Sequence, residues 1–393
     1  MAAGRLRDTL TTAGMRSSLL ELSAGGRTLM SAAGHERVTR WDVTTGRVRD
    51  TVSYDARAWW GVAFSPDGTT LAFGDRERRL RLADLPSGKE RPLPEQSTDI
   101  APQAFSADGR TLVTIVHSQD MYQLYEVATG RVRCSIPKIR EGRMHALAFH
   151  PGGRVLAACY SDSGTIRLWD FATGVAAGEF KTGGRAVHAL VFNGDGNVLA
   201  TAEGPDTAIR VWDVSGFWKA RPVLADPDLE SLWADLAGDD PAKAYQAVWG
   251  LAGSSKKSAT WIGERVRPVA AADPKRTAAL IADLDSNRFA VRERAARALD
   301  ELGDSAAPAL RKALADGPSM EARERIEGLL AKLGQRSVPP ELARAVRAVE
   351  ALEYAGTPEA RRVLEKLAGG IAEARLTREA KSAVERLSRR PTQ

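Results

Sequence analysis

Cysteine, histidine and aromatic residues are scarce in this 393-residue chain: two Cys, five His and 6% aromatics. Cys134 and Cys159 are too few for a disulfide framework and fit a reducing compartment. No run of about 18 apolar residues exists, which excludes a hydrophobic membrane-spanning helix. The opening Met1-Ala-Ala-Gly-Arg-Leu-Arg lacks the apolar core of a signal peptide. A soluble, cytoplasmic protein is the expectation.

The scarcity extends to chemistry. His35, His117, His145, His150 and His188 are not spaced as metal ligands on one helix or beside a Cys. No P-loop and no Gly-x-Ser-x-Gly elbow occurs. Asp239-Asp240 precedes Pro241 and reads as a helix N-cap, where an Asp accepts backbone N–H bonds. No catalytic residue, metal site or cofactor is therefore predicted. The charge excess is mild, 56 basic against 50 acidic residues. Acids are interleaved with arginines, as in Arg323-Glu324-Arg325, the pattern of a solvated surface.

Repetition is what the chain has in quantity. Trp-Asp recurs at Trp41-Asp42, Trp169-Asp170 and Trp212-Asp213, with worn copies at Ala83-Asp84 and Tyr125-Glu126, so the landmarks Trp41, Asp84, Tyr125, Trp169 and Trp212 recur every 42 to 44 residues or so. Each unit opens with a short apolar strand and a turn: Val62-Ala-Phe64-Ser-Pro-Asp-Gly68, Gln103-Ala-Phe105-Ser-Ala-Asp-Gly109, Leu147-Ala-Phe149-His-Pro-Gly-Gly153 and Leu190-Val-Phe192-Asn-Gly-Asp-Gly196. The terminal Gly tolerates the positive φ of a tight hairpin. A second strand follows (Val155–Cys159, Val198–Ala202), then a third (Thr165–Trp169), then a Thr-Gly or Ser-Gly turn into a fourth. Four short strands cannot bury both faces of their sheet, so neighbouring units must stack.

These motifs resemble the WD-repeat family of β-propellers over roughly residues 4 to 216. The alternative for such a pattern is a two-sheet β-sandwich. The resemblance implies about five blades, in a complete or partial ring. One departure is the absence of the family's Gly-His pair before the first strand. Gly4-Arg-Leu-Arg-Asp-Thr-Leu10 repeats Gly46-Arg-Val-Arg-Asp-Thr-Val52 almost residue for residue. It reads as a fourth strand without its own blade, which either closes the ring or is the remnant of a longer array.

From about Asp226 apolar residues recur every three and four positions, a helical period. In Leu284–Leu314, Val291, Ala295, Ala298, Leu299 and Leu302 form one face, Gly303 stops the helix, and Pro308 suits the next first turn. This stretch resembles a HEAT-type repeat, with weaker copies at 232–251 and 349–364; a plain helical bundle is the alternative. The expected organisation is a propeller over 1–216, a linker or last outer strand over 217–225, and a HEAT-like solenoid over 226–393. A propeller with such a helical tail resembles large bacterial multidomain proteins.

The family resemblance implies binding at the rim where innermost strands begin. The residue four before each landmark Phe lies there: Trp60, Ala101, His145 and His188, with Ser18 in the first unit. Arg57, Arg143 and Arg185 lie nearby, and Trp and Arg are common interface anchors. The predicted function is a non-catalytic protein-interaction scaffold using this rim and the helical surface. The alternatives are a regulatory or truncated portion of a larger enzyme or signalling protein with its catalytic module upstream, and nucleic-acid binding through Arg288, Arg292, Arg294, Arg297, Arg311 and Lys312.

Overall fold

The protein is described by a computed structural model that places residues 17–23, 26–33, 37–54, 61–85, 88–91, 93, 99–119, 121–137, 144–160, 164–183, 187–203, 208–217, 228–335 and 338–389. Two compact units divide the chain, residues 1–220 and 221–393. The first holds five antiparallel sheets and the second ten helices among the described residues.

Sheet 1 comprises β1 (Ser17–Leu22), β2 (Thr28–Ala33), β3 (Arg37–Asp42) and β4 (Arg47–Ser53). Sheet 2 comprises β5 (Val62–Phe64), β6 (Thr70–Gly74), β7 (Leu80–Asp84) and β8 (Lys89–Arg91). Sheet 3 is built from β9 (Ile100–Phe105), β10 (Thr111–Val116), β11 (Met121–Glu126) and β12 (Arg131–Pro137). Sheet 4 has β13 (Met144–Phe149), β14 (Val155–Tyr160), β15 (Thr165–Asp170) and β16 (Val175–Lys181). Sheet 5 has three described strands, β17 (Val187–Phe192), β18 (Val198–Glu203) and β19 (Ala208–Asp213). Strand order follows the chain in every sheet, the up-and-down arrangement of a propeller blade. Gly4–Leu10 and residues 218–225 lie outside the described residues.

The repeated words have physical duties. Ser65 Oγ donates to Asp67 Oδ1 at 2.5 Å and accepts from Thr70 N at 2.8 Å, closing the turn in which Gly68 takes φ +71°. Ser106, Asp108 and Gly109 repeat this geometry. In sheet 4 the ring of His150 substitutes, with Nδ1 accepting from Gly152 N at 2.9 Å. Asn193 Oδ1 serves sheet 5, accepting from Val198 N at 2.9 Å. Each landmark Trp donates its indole N–H to the neighbouring second strand: Trp41 to Ser31 Oγ (3.0 Å), Trp169 to Tyr160 Oη (3.2 Å) and Trp212 to Thr201 Oγ1 (3.1 Å). The following Asp caps the next turn, as Asp42 Oδ1 does by accepting from Thr44 N and Thr45 N.

Among the described residues, apolar clusters join sheets 1 and 2, sheets 2 and 3, and sheets 4 and 5. Met30, Ala32 and Val38 of sheet 1 meet Phe64, Leu71 and Phe73 of sheet 2. Ala72, Leu80 and Leu82 then meet Ile100, Phe105 and Leu112. Further along, Ala157, Cys159, Ile166 and Leu168 meet Val187, Leu190 and Leu199.

The helices are α1 (Leu229–Ala237), α2 (Pro241–Gly253), α3 (Ser255–Arg265), α4 (Pro274–Asp283), α5 (Phe289–Leu302), α6 (Ala307–Ala315), α7 (Met320–Gln335), α8 (Pro340–Ala355), α9 (Pro358–Ala368) and α10 (Arg375–Arg389). Asp240 caps α2, accepting from Ala242 N and Lys243 N. Gly303 ends α5 at φ +56°. Helices α4 to α7 pack around Leu284, Ala295, Leu299, Leu310 and Ile326. The stretches flanking them pack on each other instead: α1, α2, α3, α9 and α10 all contact α8. The buried α8 is thus the axis of a bundle into which the central helices are inserted in sequence. Its Arg347 donates to the carbonyls of Leu236 (2.6 Å) and Gly238 (3.2 Å), tying α8 to the end of α1. Its Glu353 holds Arg386 of α10 in a two-bonded ion pair, both contacts 2.8 Å.

Candidate interaction surfaces

In two pairs of adjacent sheets the first strands pack together, β5 on β9 and β13 on β17, which brings their starting ends side by side within each pair. His145 and His188 are each the second residue of a first strand. Each is also the unpaired residue of a β-bulge, since the register steps from Met144 to Ala146 and from Val187 to Ala189. Ser18 holds the same position in sheet 1, between Ser17 and Leu19. A bulge re-aims a side chain at a sheet margin, and His188 is exposed there. In sheet 3 the irregularity falls two pairs along, between Pro102 and Ala104, and Ala101 is buried. Trp60, Arg57, Arg143 and Arg185 lie outside the described residues, and for His145 the backbone alone is described.

Gly61, next to Trp60, takes φ +94°, and a Cβ there would stand 2.5 Å from Pro102 O. Sheets 2 and 3 therefore approach to backbone contact at this rim, a distance that excludes any side chain.

Sequence reading missed a recurring charged pair on the same rim. Asp75, just past β6, receives Arg81 Nε at 2.8 Å and Arg79 Nε at 3.0 Å. Burial alone would push the Asp75 carboxyl up; the Arg79 amide and the guanidiniums of Arg81 and Arg79 outweigh it and hold the group below its ordinary value. Glu203 and Arg210 stand at the matching positions of sheet 5, 3.0 Å apart. In sheet 4 the acid is replaced by Tyr160, with the Arg167 guanidinium 5.9 Å from its ring centroid. Apolar-Arg-apolar, in Leu80-Arg81-Leu82, Ile166-Arg167-Leu168 and Ile209-Arg210-Val211, was the available signal. Between sheets 2 and 3, Arg78 and Asp99 both adopt positive φ and form a 3.0 Å ion pair.

On the helical unit, Arg292 Nη1 donates to Ser286 O at 2.7 Å, and its Nε lies 3.4 Å from Glu321. Arg325 shares that Glu321 at 2.8 Å. Arg288, Arg294, Arg297, Arg311 and Lys312 are exposed, with Arg297 3.9 Å from Glu293. A second cationic and aromatic group joins α1 and α3: Arg265 lies 3.5 Å over Trp261, which meets Trp233 edge to face at 5.4 Å. No cluster of three metal-ligating side chains occurs among the described residues. No described helix is long and apolar enough to cross a membrane.

The family described as "WD domain, G-beta repeat" matches residues 139–170 and 178–213, which are sheets 4 and 5 with their approaches. The family described as "PBS lyase HEAT-like repeat" matches 291–316, the α5–α6 pair. The chain carries WD40 repeats and a HEAT-like repeat. Among curated relatives, the WD repeat-containing protein SL1-17 of Schistosoma mansoni is 25% identical over 159 residues, covering 39% of this chain and 50% of the relative. The nuclear distribution protein PAC1 of Coccidioides posadasii (strain C735) is 31% identical over 167 residues, 37% of this chain and 35% of the relative. The chain thus spans half or less of these relatives' lengths. Among solved structures, the β-propeller domain of Myceliophteria thermophila Cps50 (Swd1) is 18% identical, with TM-score 0.43 over 56% of this chain and 70% of that one. A chain of the mitotic checkpoint complex is 19% identical, with TM-score 0.44 over 52% of this chain and 65% of that one.

Proposed function

We propose that this chain is a non-catalytic, cytoplasmic scaffold that binds other proteins through the propeller rim and the helical surface. The observation that carries the reading is the placement of His145 and His188 on matching bulges at the starts of stacked first strands. Stacking repeats presents matching positions side by side, so a partner reads a row of side chains rather than a single cleft. Trp60, Arg57, Arg143 and Arg185 are assigned to the same surface from their sequence positions alone. WD40 and HEAT-like repeats are in general interaction modules, which supports the same reading. The domains proposed are a propeller over 1–216, a linker or last outer strand over 217–225 and a HEAT-like helical domain over 226–393.

The test is a comparison on the intact chain. Affinity capture is expected to return a partner protein in near-stoichiometric amount, while the purified chain leaves a metabolite mixture unchanged. Turnover of a metabolite with no specific partner recovered would overturn the scaffold reading.

A further inference from the structure

Sheet 5 departs from the other sheets at the turn between its first two strands. That turn uses a side-chain acceptor at its first residue, supplied in chain order by Ser23, Ser65, Ser106, His150 and Asn193. The second residue is Pro66, Ala107 and Pro151 in sheets 2, 3 and 4. Proline has no N–H, so the turn closes without a hydrogen bond from that position. In sheet 5 the second residue is Gly194, which does not take a positive φ. A Cβ there would meet nothing within 4 Å. Neither the backbone nor the space around it requires a glycine.

Asparagine followed by glycine is also a reactive pair. Asn193 and Gly194 are both exposed, and the Gly194 N–H donates to no group among the described residues. Asn193 Oδ1 accepts from Val198 N at 2.9 Å. This donor polarises the side-chain carbonyl and is already aimed at the oxygen on which negative charge develops when Cγ is attacked. Attack by the next backbone nitrogen closes a five-membered ring, and a residue without a Cβ leaves that nitrogen open. The chain's other asparagines lack this neighbour: Asn197 precedes the β-branched Val198, and Asn287 precedes Arg288.

We propose that Asn193 and Gly194 form a self-modifying site, at which the first turn of sheet 5 converts to isoaspartate. Solvent hydroxide takes the Gly194 N–H proton, the nitrogen bonds to Asn193 Cγ, and the Cγ–Nδ2 bond breaks, releasing ammonia that carries a proton from water. Water then opens the succinimide. Cleavage at the main-chain carbonyl carbon of residue 193 leaves isoaspartate, and cleavage at Cγ leaves aspartate. The sum is one water consumed and one ammonia released, with no change of oxidation state. Isoaspartate routes the main chain through Cγ, so the acceptor for Val198 N is lost and the carbonyl that receives Gly196 N at 3.0 Å is displaced. The His150 imidazole of sheet 4 packs against Gly196 and meets Phe192 edge to face. The modification therefore loosens the joint between sheets 4 and 5, whereas aspartate keeps an acceptor in place.

The test is incubation of the intact chain at mildly alkaline pH, with peptide mapping by mass spectrometry and an isoaspartate-specific methyl-transfer assay. Asn193 is expected to convert to isoaspartate and aspartate while Asn197 and Asn287 keep their amides. Gly194→Val and Gly194→Ala, which the open space and ordinary φ accommodate, are expected to slow the conversion severalfold, Val the more, with unchanged circular dichroism. Converted chains, separated by ion exchange, are expected to melt below fresh protein and below Asn193→Asp. An Asn193 amide that outlasts those of Asn197 and Asn287, or conversion as fast in both Gly194 variants as in the unaltered chain, would overturn the site. Converted chains that melt with fresh protein would overturn its link to the joint.

Discussion

The imidazole of His150 occupies the space where a side chain on Gly196 would have to stand, with Nε2 only 2.0 Å from an ideal Cβ. His150 belongs to the turn of sheet 4 and Gly196 to the turn of sheet 5, so this approach locks consecutive blades at their hairpins. The ring also meets Phe192 edge to face at 5.3 Å. Gly196→Ala adds a clash to the cost of a non-glycine residue at φ +76°. Gly88 has φ +67° and nothing within 4 Å of its Cβ position. Gly88→Ala is expected to cost about 1 kcal/mol from the left-handed backbone alone, and Gly196→Ala at least twice that, measured by urea unfolding of each variant.

His150 also sets a pH dependence. Burial pushes its imidazole down from 6.5 to about 4, against smaller opposing contributions from Gly196 and Asp195. Unfolded chains bind the proton near 6.5 and folded ones near 4, so the unfolded state holds more protons in between. Its stabilisation is complete above pH 6.5 and is lost as pH falls through about 4. Asp42 acts lower, because Arg49 and the Thr45 and Thr44 amides hold it at about 2. The melting temperature is expected to fall from pH 7 to 4, with a shallower slope in His150→Ser, which installs the residue used in sheets 2 and 3.

Glu126 and Arg133 form an ion pair, 3.1 Å apart, with both side chains at most 3% exposed. Arg133 also donates to Thr111 Oγ1 at 3.0 Å, and Thr129 Oγ1 donates to Glu126 Oε2 at 2.5 Å. Arg133→Met is expected to cost about 3 to 5 kcal/mol, because it strands a buried carboxylate. Adding Glu126→Leu should recover most of the loss. The urea midpoints of the single and double variants measure this directly.

Phe217 follows sheet 5 but lies on sheet 4, filling the space above Gly178 and stacking on Phe180 at 6.3 Å. Phe180 in turn meets Trp212 at 4.9 Å. Phe217→Ala opens this joint at a partly exposed site, and a loss of about 1 to 2 kcal/mol is expected. Trp212 emission should shift to the red in the same variant as its neighbourhood admits water.

These features differ in how far the sequence revealed them. Trp41, Trp169 and Trp212 were legible because each does one fixed job at one fixed period, and all five sheets follow from that spacing. Gly303, Pro308 and Asp240 were legible because caps depend on local backbone. The bulges at His145 and His188 were not, since a bulge is a mismatch between two strands and one strand alone does not encode it. The Asp75–Arg81 and Glu203–Arg210 pairs were spread across strands, and Tyr160 broke the pattern. Around α8, the contacts join residues more than 100 positions apart, as Arg347 joins Leu236. Helical periodicity marked those faces as apolar without naming their partners.

The scaffold reading rests on the rim, and quantitative capture with the intact chain and the Trp60→Ala, His145→Ala, His188→Ala triple variant tests it most directly. With equal folding of the two by circular dichroism, the account predicts loss of the stoichiometric partner from the variant; recovery of every partner at unchanged yield would contradict it.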